Sequence, residues 1–288
     1  MKKNYFVLVF IFFIQSAFSW GFWAHKKITS EAINLLPEKM REFYINYNDS
    51  IVNGSIAADL RRNKDKLEAA RHYIDFEYYD EYPFAKIPFN FEEAKKLFGD
   101  SLINSSGYVP WQIVDVTKKL ENAFREKNAK LILFYSSDLA HYIADAHVPL
   151  HTTKNYDGQL TNQHGLHARW ESEIPEKYFS LFKLNLTKPE IITNFEEASF
   201  KICFDSYANV EKSLKLDKES WNSLSGEANY KKVENNGKQK LFFNKNYYDI
   251  YYEKLDGMVE RRMEKAIINI ANFWYSAWVN AGKPILNI

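Results

Sequence analysis

Apolar residues recur at helical spacing along most of this chain and predict a protein built mainly of α-helices. In the segment Ile28–Leu36 they stand three or four positions apart, and Pro37 ends the run. The same spacing continues from Trp111, just behind Pro110, a residue that favours the first turn of a helix. Similar patterns predict further helices at residues 40–47, 56–62, 67–79, 130–147, 196–214 and 247–281, and from residue 166 onwards.

Turn-forming residues separate these segments. Residues 80–90 contain two prolines, and residues 152–166 are rich in polar residues and glycine, so both are predicted loops. Asn235-Asn236-Gly237 lies between Tyr230–Val233 and Lys238–Phe243, which predicts a β-hairpin. The expected fold is therefore all-α, a single multi-helix domain with at most a small β-hairpin and no linker that would divide it.

The N-terminal segment has the features of a secretory signal peptide, expected to cover residues 1–19. Two lysines precede the apolar run Phe6–Ile14, and Ala17-Phe18-Ser19 supplies small residues for cleavage. The run is too short to span a bilayer, although a membrane anchor is the alternative. Cleavage would make Trp20 the new N-terminus. The expected mature protein is residues 20–288, secreted or periplasmic.

Composition narrows the class of protein further. The chain has 38 Lys and Arg against 37 Asp and Glu, so it lacks the basic surface typical of high-affinity nucleic-acid binding. An enzyme that contacts only a few nucleotides is not excluded. The single cysteine, Cys203, allows no internal disulfide, so an exported chain must be held together by packing or by metal.

Candidate chemistry is concentrated between His141 and Glu171, where five of the seven histidines lie. His141 and Asp145 are four residues apart, as are His167 and Glu171, so each pair shares one helical face. Imidazole and carboxylate together suit Zn²⁺. One such pair is more often a plain polar contact, but two pairs with His151 between them favour a metal site.

Further candidate ligands lie upstream, and each of them taken singly fits a solvated or salt-bridged helix surface. His25 lies on the first predicted helix, five residues after Trp20. Asp59 and Arg62 are three residues apart, and His72 begins the motif His72-Tyr-Ile-Asp75.

Taken in order, these motifs resemble the zinc-dependent phospholipase C/S1-P1 nuclease superfamily, clearly so from Trp20 to Glu171. The resemblance implies an all-α fold with three zinc ions in a cleft. One zinc would be bound by Asp59, His72, His141 and Asp145. A second would be bound by His151, His167 and Glu171. A third would be bound by the α-amino group and carbonyl of Trp20, with His25 and a bridging Asp145.

The resemblance also implies roles near the metals. Asp59 would orient the attacking water, and Arg62 would contact the phosphate. Tyr73 and Asp75 are candidates for substrate contacts. His147 and His164 match no ligand position, and both are interpreted as ordinary polar residues.

The resulting expectation is a secreted, zinc-dependent phosphoric diester hydrolase that acts as a monomer without a stable protein partner. Glu171, the short interval from His151 to His167 and the near-neutral charge favour a phospholipase C-like enzyme with a phospholipid head group as substrate, and this is narrowly the preferred interpretation. The short interval from Trp20 to His25 and the Asp59/Arg62 and His72/Asp75 motifs instead indicate an S1/P1-type nuclease for single-stranded nucleic acid. A third hypothesis is an exported helical metal-binding protein without catalysis.

Overall fold

A computed structural model describes residues 21–224, 230–235 and 238–286 of the chain. The expected signal peptide and Trp20 therefore lie outside the described residues. The α-helices are α1 (Phe22–Leu35), α2 (Glu38–Asn46), α3 (Asn48–Gly54), α4 (Ala57–Arg61), α5 (Phe91–Ser106), α6 (Val109–Arg125), α7 (Ala129–Ala146), α8 (Leu166–Ala168), α9 (Ile174–Tyr178), α10 (Phe195–Tyr207), α11 (Val210–Asn222), α12 (Lys245–Leu255) and α13 (Met258–Asn280).

Short elements connect these helices. Single 3₁₀ turns lie at Ala69–Arg71, Phe76–Tyr78, Pro149–His151, Gln159–Thr161 and Phe179–Leu181, and a π-helical turn follows α8 at Arg169–Glu173. The predicted hairpin is confirmed: β1 (Tyr230–Asn235) pairs antiparallel with β2 (Lys238–Phe243), with Tyr230 opposite Phe243. The all-α class is confirmed as well. Within the described residues, the helices are all too short or too polar to cross a membrane.

Helix α7 lies at the centre of the fold. It packs against α1, α3, α4, α6, α10 and α13, and every residue from Ser136 to Ala146 is buried. A helix buried on all sides is expected to be apolar, yet α7 carries Asp138, His141 and Asp145. Buried charges need partners, so the surrounding elements must supply them.

Three predicted helices differ from the observed elements. The helix expected over residues 67–79 is wrong. Two 3₁₀ turns flank a non-helical segment there. In this segment the amide of Ile74 donates to the carbonyl of His151 and the amide of Asp75 donates to that of Ser106, both far away in sequence. The segment 196–214 divides into α10 and α11. The segment 247–281 divides into α12 and α13 at Asp256 and Gly257, which both have positive φ.

Candidate metal centre

The first part of the site is assembled around α7. His141 and Asp145, one turn apart, project from this helix, while α1 brings His25 and α4 brings Asp59. His72 follows the 3₁₀ turn at Ala69–Arg71. All five side chains are buried. The structure therefore brings together residues that are more than a hundred positions apart in sequence.

Four of these side chains converge on one point. His72 Nδ1 lies 2.9 Å from both His141 Nε2 and Asp145 Oδ2, and His141 Nε2 lies 3.2 Å from Asp145 Oδ2. Asp59 Oδ1 completes the group at 3.7 Å from His72 Nδ1 and 3.8 Å from His141 Nε2. Tetrahedral ligands about 2.0–2.1 Å from Zn²⁺ are roughly 3.3 Å apart, so this spacing suits a zinc ion.

The second carboxylate oxygen of Asp145, Oδ1, faces away from His72 and towards His25. His25 Nε2 lies 3.2 Å from Asp145 Oδ1, and the His25 ring stacks on His141 with ring centroids 4.1 Å apart. Since Oδ1 and Oδ2 face different histidines, this one carboxylate is able to bridge two cations. The third expected ligand on this side, Trp20, lies outside the described residues.

A separate group forms between the 3₁₀ turn at Pro149–His151 and the turns that follow the long loop. His151 Nε2 and His167 Nε2 are 3.0 Å apart, and Glu171 Oε2 lies 3.4 Å from the first and 3.0 Å from the second. His167 and Glu171 lie on consecutive turns, as their spacing predicts. This group also has the donor set and the spacing of a zinc site.

In three of the histidines, the hydrogen bond made by Nδ1 shows whether Nε2, the nitrogen that faces the cluster, carries a hydrogen. Nδ1 of His141 bonds to the carbonyl of Ser55, Nδ1 of His151 to that of His72, and Nδ1 of His167 to that of Tyr156. A carbonyl can only accept, so each Nδ1 holds the hydrogen. In their neutral forms, His151 and His167 then present Nε2 lone pairs to each other across 3.0 Å, and these repel unless a cation lies between them.

The pKa shifts of the cluster residues also indicate that positive charge is favoured here. Burial alone would lower the pKa of His141, but Asp145 and Asp59 outweigh it and raise the pKa to about 9. Glu171 likewise overcomes burial and raises the pKa of His167 to about 9. The nearby histidines lower the pKa of Asp145 and of Glu171 although burial opposes this. The buried carboxylates therefore favour positive charge at these ring nitrogens.

Two expected site residues stand beside the first cluster. Arg62 Nη1 lies 3.6 Å from Asp59 Oδ1, and a third of the Arg62 side chain is exposed, so its guanidinium can still reach a ligand. Tyr73 is half-buried next to His72, and its hydroxyl donates to the carbonyl of Ser105. Gly107 packs so closely on Tyr73 that a Cβ atom at Gly107 would lie 2.3 Å from the Tyr73 carbonyl oxygen.

Asp75 is buried at the end of the same segment. Burial raises its pKa to about 7, and the neighbouring Glu77 adds to the shift. Glu77 itself accepts hydrogen bonds from Thr153 Oγ1 and from the backbone amide of Lys154, so it ties the loop after His151 to this segment. Asp75 is thus a carboxyl group that changes charge near neutral pH.

A polar network behind His72 was not identified from the sequence. Glu68 is buried and faces His72, and it bonds to Arg61, Arg71 and Tyr142. Arg61 also forms two hydrogen bonds, of 3.0 and 2.8 Å, to the carboxylate of Asp138 on α7. The spacing of four residues from Glu68 to His72 was an available signal, but the partners come from a distant helix.

The two histidines outside the ligand set lie elsewhere. His147 is buried and bonds through Nδ1 to the carbonyl of Ile143 and through Nε2 to Asn269. Burial lowers the pKa of His147 well below its usual value, with Arg262 adding to the effect, so its ring is neutral. His164 is exposed.

The described residues thus form a helical scaffold that buries clusters of imidazole and carboxylate groups, and three of these groups could hold metal ions. The family model S1/P1 Nuclease matches residues 21–275, and the chain belongs to this family. Among curated proteins, none matches the sequence.

Solved structures with a similar fold include two clostridial toxins. The alpha toxin from Clostridium absonum has a TM-score of 0.53 at 16% identity, and the match covers 92% of this chain and 65% of the toxin. The alpha-toxin from the avian strain SWCP of Clostridium perfringens has a TM-score of 0.51 at 16% identity, covering 88% and 63%. The chain thus spans slightly less than two thirds of each toxin, and the likeness concerns the fold.

Proposed function

We propose that this protein is an exported zinc-dependent phosphodiesterase that cleaves single-stranded nucleic acid. The observation that carries the proposal is the contact between His151 Nε2 and His167 Nε2, which lie 3.0 Å apart although each ring holds its hydrogen on Nδ1. Two ring nitrogens that both present lone pairs approach this closely only with a cation between them, and Glu171 Oε2 beside both nitrogens completes a zinc donor set. The sequence features favoured a phospholipase C narrowly, but the family match across residues 21–275 shifts the preference to the nuclease.

The residues beside the first cluster have complementary tasks. Bound zinc would screen the phosphodiester charge, activate water and stabilise the leaving oxygen. Arg62 would donate its guanidinium hydrogens to the phosphate oxygens. Asp59 lies 3.6 Å from Arg62, so its carboxylate would accept a hydrogen from the attacking water and orient it towards the phosphorus held by Arg62.

Substrate selection would fall to the segment after His72. The ring of Tyr73 can stack on an unpaired base, and the ionised carboxylate of Asp75 can accept hydrogen bonds from an exocyclic amine of that base. Both contacts need a base that is not already paired and stacked in a duplex. This favours single strands over double strands.

Processing of the N-terminus belongs to the same proposal. After cleavage behind Ser19, the α-amine of Trp20 would join His25 and Asp145 as a zinc ligand. An α-amino group has a pKa of about 7.7–8.0, so zinc displaces its proton at little cost.

A phospholipid head group is the second candidate substrate. The near-neutral balance of 38 basic and 37 acidic residues fits a zwitterionic head group at least as well as a polyanion. The chemistry at phosphorus would be unchanged, because both substrates are phosphodiesters. Only the contacts made by Tyr73 and Asp75 would differ.

Product analysis with the zinc-loaded protein beginning at Trp20 tests the proposal. The substrates are single-stranded DNA, the same sequence as a duplex, and phosphatidylcholine vesicles. We expect release of nucleotides from the single strand, slower cleavage of the duplex and little diacylglycerol. An Asp145→Asn preparation is the control for contaminating nucleases. Diacylglycerol without nucleotides would establish the lipid candidate, and a zinc-loaded chain without any product would establish metal binding without catalysis.

A further inference from the structure

The two ring nitrogens of His72 point to opposite sides. Nδ1 points into the first cluster, 2.9 Å from His141 Nε2 and 2.9 Å from Asp145 Oδ2. Nε2 points the other way, is buried, and has no hydrogen-bond partner within the described part of the chain. Glu68 Oε1 lies 3.6 Å from it, so a displacement of well under 1 Å would form a hydrogen bond.

Glu68 is fixed in this place by its own partners. Tyr142 donates its hydroxyl to Oε1, and Arg61 Nη2 lies 3.2 Å from the same oxygen. Arg71 pairs with Oε2. Side chains from the segment before His72 and from α7 therefore converge on one fully buried carboxylate. Because two guanidinium groups neutralise it, Glu68 stays charged in the interior.

We propose that Glu68 is a positioning residue of the metal centre, which accepts the hydrogen of His72 Nε2 and so directs the Nδ1 lone pair at the metal. The inference rests on the proposed metal-dependent function. His141, His151 and His167 use backbone carbonyls for the same purpose, whereas His72 faces a carboxylate. A negative acceptor makes the ring a stronger metal donor than a neutral carbonyl does.

Glu68→Gln tests this role, with Asp138→Asn as its matched control. Both substitutions remove one buried charge from Arg61, but Asp138 makes its two hydrogen bonds to Arg61 instead of facing His72. Zinc dissociation constants are measured by competition with a chelator, and folding is checked by circular dichroism. We expect Glu68→Gln to weaken one zinc site by about 10–100-fold, and Asp138→Asn to change zinc affinity less than about threefold.

The outcomes separate this inference from the proposed function. If wild type binds zinc and Glu68→Gln binds it equally well, the role of Glu68 is wrong while the metal centre stands. Equal losses in both variants would also refute the role, because they would reflect the Arg61 network instead of the contact with His72. A wild-type chain that binds no zinc would overturn both proposals.

A measurement on the unaltered protein keeps the inference testable should Glu68→Gln fail to fold. In the zinc-loaded chain with ¹⁵N-labelled histidine, assigned against His72→Asn, the ring of His72 should carry its hydrogen on Nε2 and none on Nδ1. A hydrogen on Nδ1 would exclude the proposed arrangement.

Discussion

The two oxygens of Asp145 face different partners, Oδ2 towards His72 and His141 and Oδ1 towards His25. This residue therefore connects two of the three groups that could hold a metal among the residues that the structure describes. At the scale of single residues, its charge is the feature that an amide cannot replace, since Asn has nearly the same shape but carries no negative charge.

We predict that Asp145→Asn loses two zinc ions together, so that the content falls from about three ions per chain to about one. The site of His151, His167 and Glu171 should remain filled. Metal analysis after gel filtration measures the content, with Asp75→Asn as a control that keeps all its zinc. Retention of three ions by Asp145→Asn would refute the bridge.

Asp75 provides a prediction on pH and stability. Burial, with a smaller effect of Glu77, raises its pKa from 3.8 to about 7 in the folded chain. The folded state thus binds a proton more tightly than the unfolded state. This contribution to stability is complete below about pH 4 and is lost as the pH rises through 7.

Asp75→Asn should therefore be more stable than wild type above pH 7, by roughly 4 kcal/mol, with a smaller difference at pH 5. Urea unfolding of the zinc-loaded proteins across pH 5–9 measures it. Asp100→Asn, at an exposed position, serves as the control and should follow wild type at every pH. A pH-independent difference for Asp75→Asn would contradict the assignment.

At the scale of elements, the turns that carry His167 and Glu171 are secured by Arg169 between them. Arg169 is buried, forms a salt bridge with Asp217 on α11, and donates a hydrogen bond to the hydroxyl of Tyr247 on α12. Its guanidinium also donates to the carbonyl of His164, at the end of the long loop. The C-terminal helices thus hold the second metal group in place through one cation.

Arg169→Met should cost about 3–5 kcal/mol, because it leaves Asp217 as a buried charge without its cation. Adding Asp217→Asn should recover part of this loss. Chemical unfolding of the single and double variants measures both effects, and Arg125→Met, which removes an exposed ion pair, should change stability by less than about 1 kcal/mol. If the double variant is no more stable than Arg169→Met, then the pair with Asp217 is not the cause.

The elements also indicate how far the sequence could predict this molecule. Helical periodicity predicted α1, α4 and α7, and the spacing of His141 to Asp145 placed both on one face. The helix expected at 67–79 failed because its amides bond to His151 and Ser106, which are distant in sequence. The pairing of Arg61 with Asp138 joins positions 77 apart, and no local pattern encodes such a contact.

At the scale of the whole molecule, the expected zinc site of Trp20, His25 and Asp145 combines the start of the mature chain with the central helix α7. α1 packs against α7 and α13, which fixes His25 beside Asp145 in the interior. Trp20 precedes α1 by two residues, so a ligand at the mature N-terminus would be close to His25 in sequence. Any residue left before Trp20 would then remove the free amine that this proposed site needs.

We predict that a protein with one additional residue before Trp20 binds about two zinc ions instead of three and loses most of its phosphodiesterase activity. The added peptide bond converts a metal-binding amine into an amide, which has no lone pair available for zinc. Zinc content and hydrolysis of single-stranded DNA are measured side by side with a protein extended by the same residue after Ile288, which should retain both. Three zinc ions and a full rate in the N-terminally extended protein would show that the amine of Trp20 is not a ligand, and His25 with Asp145 would then have to be completed from elsewhere in the chain.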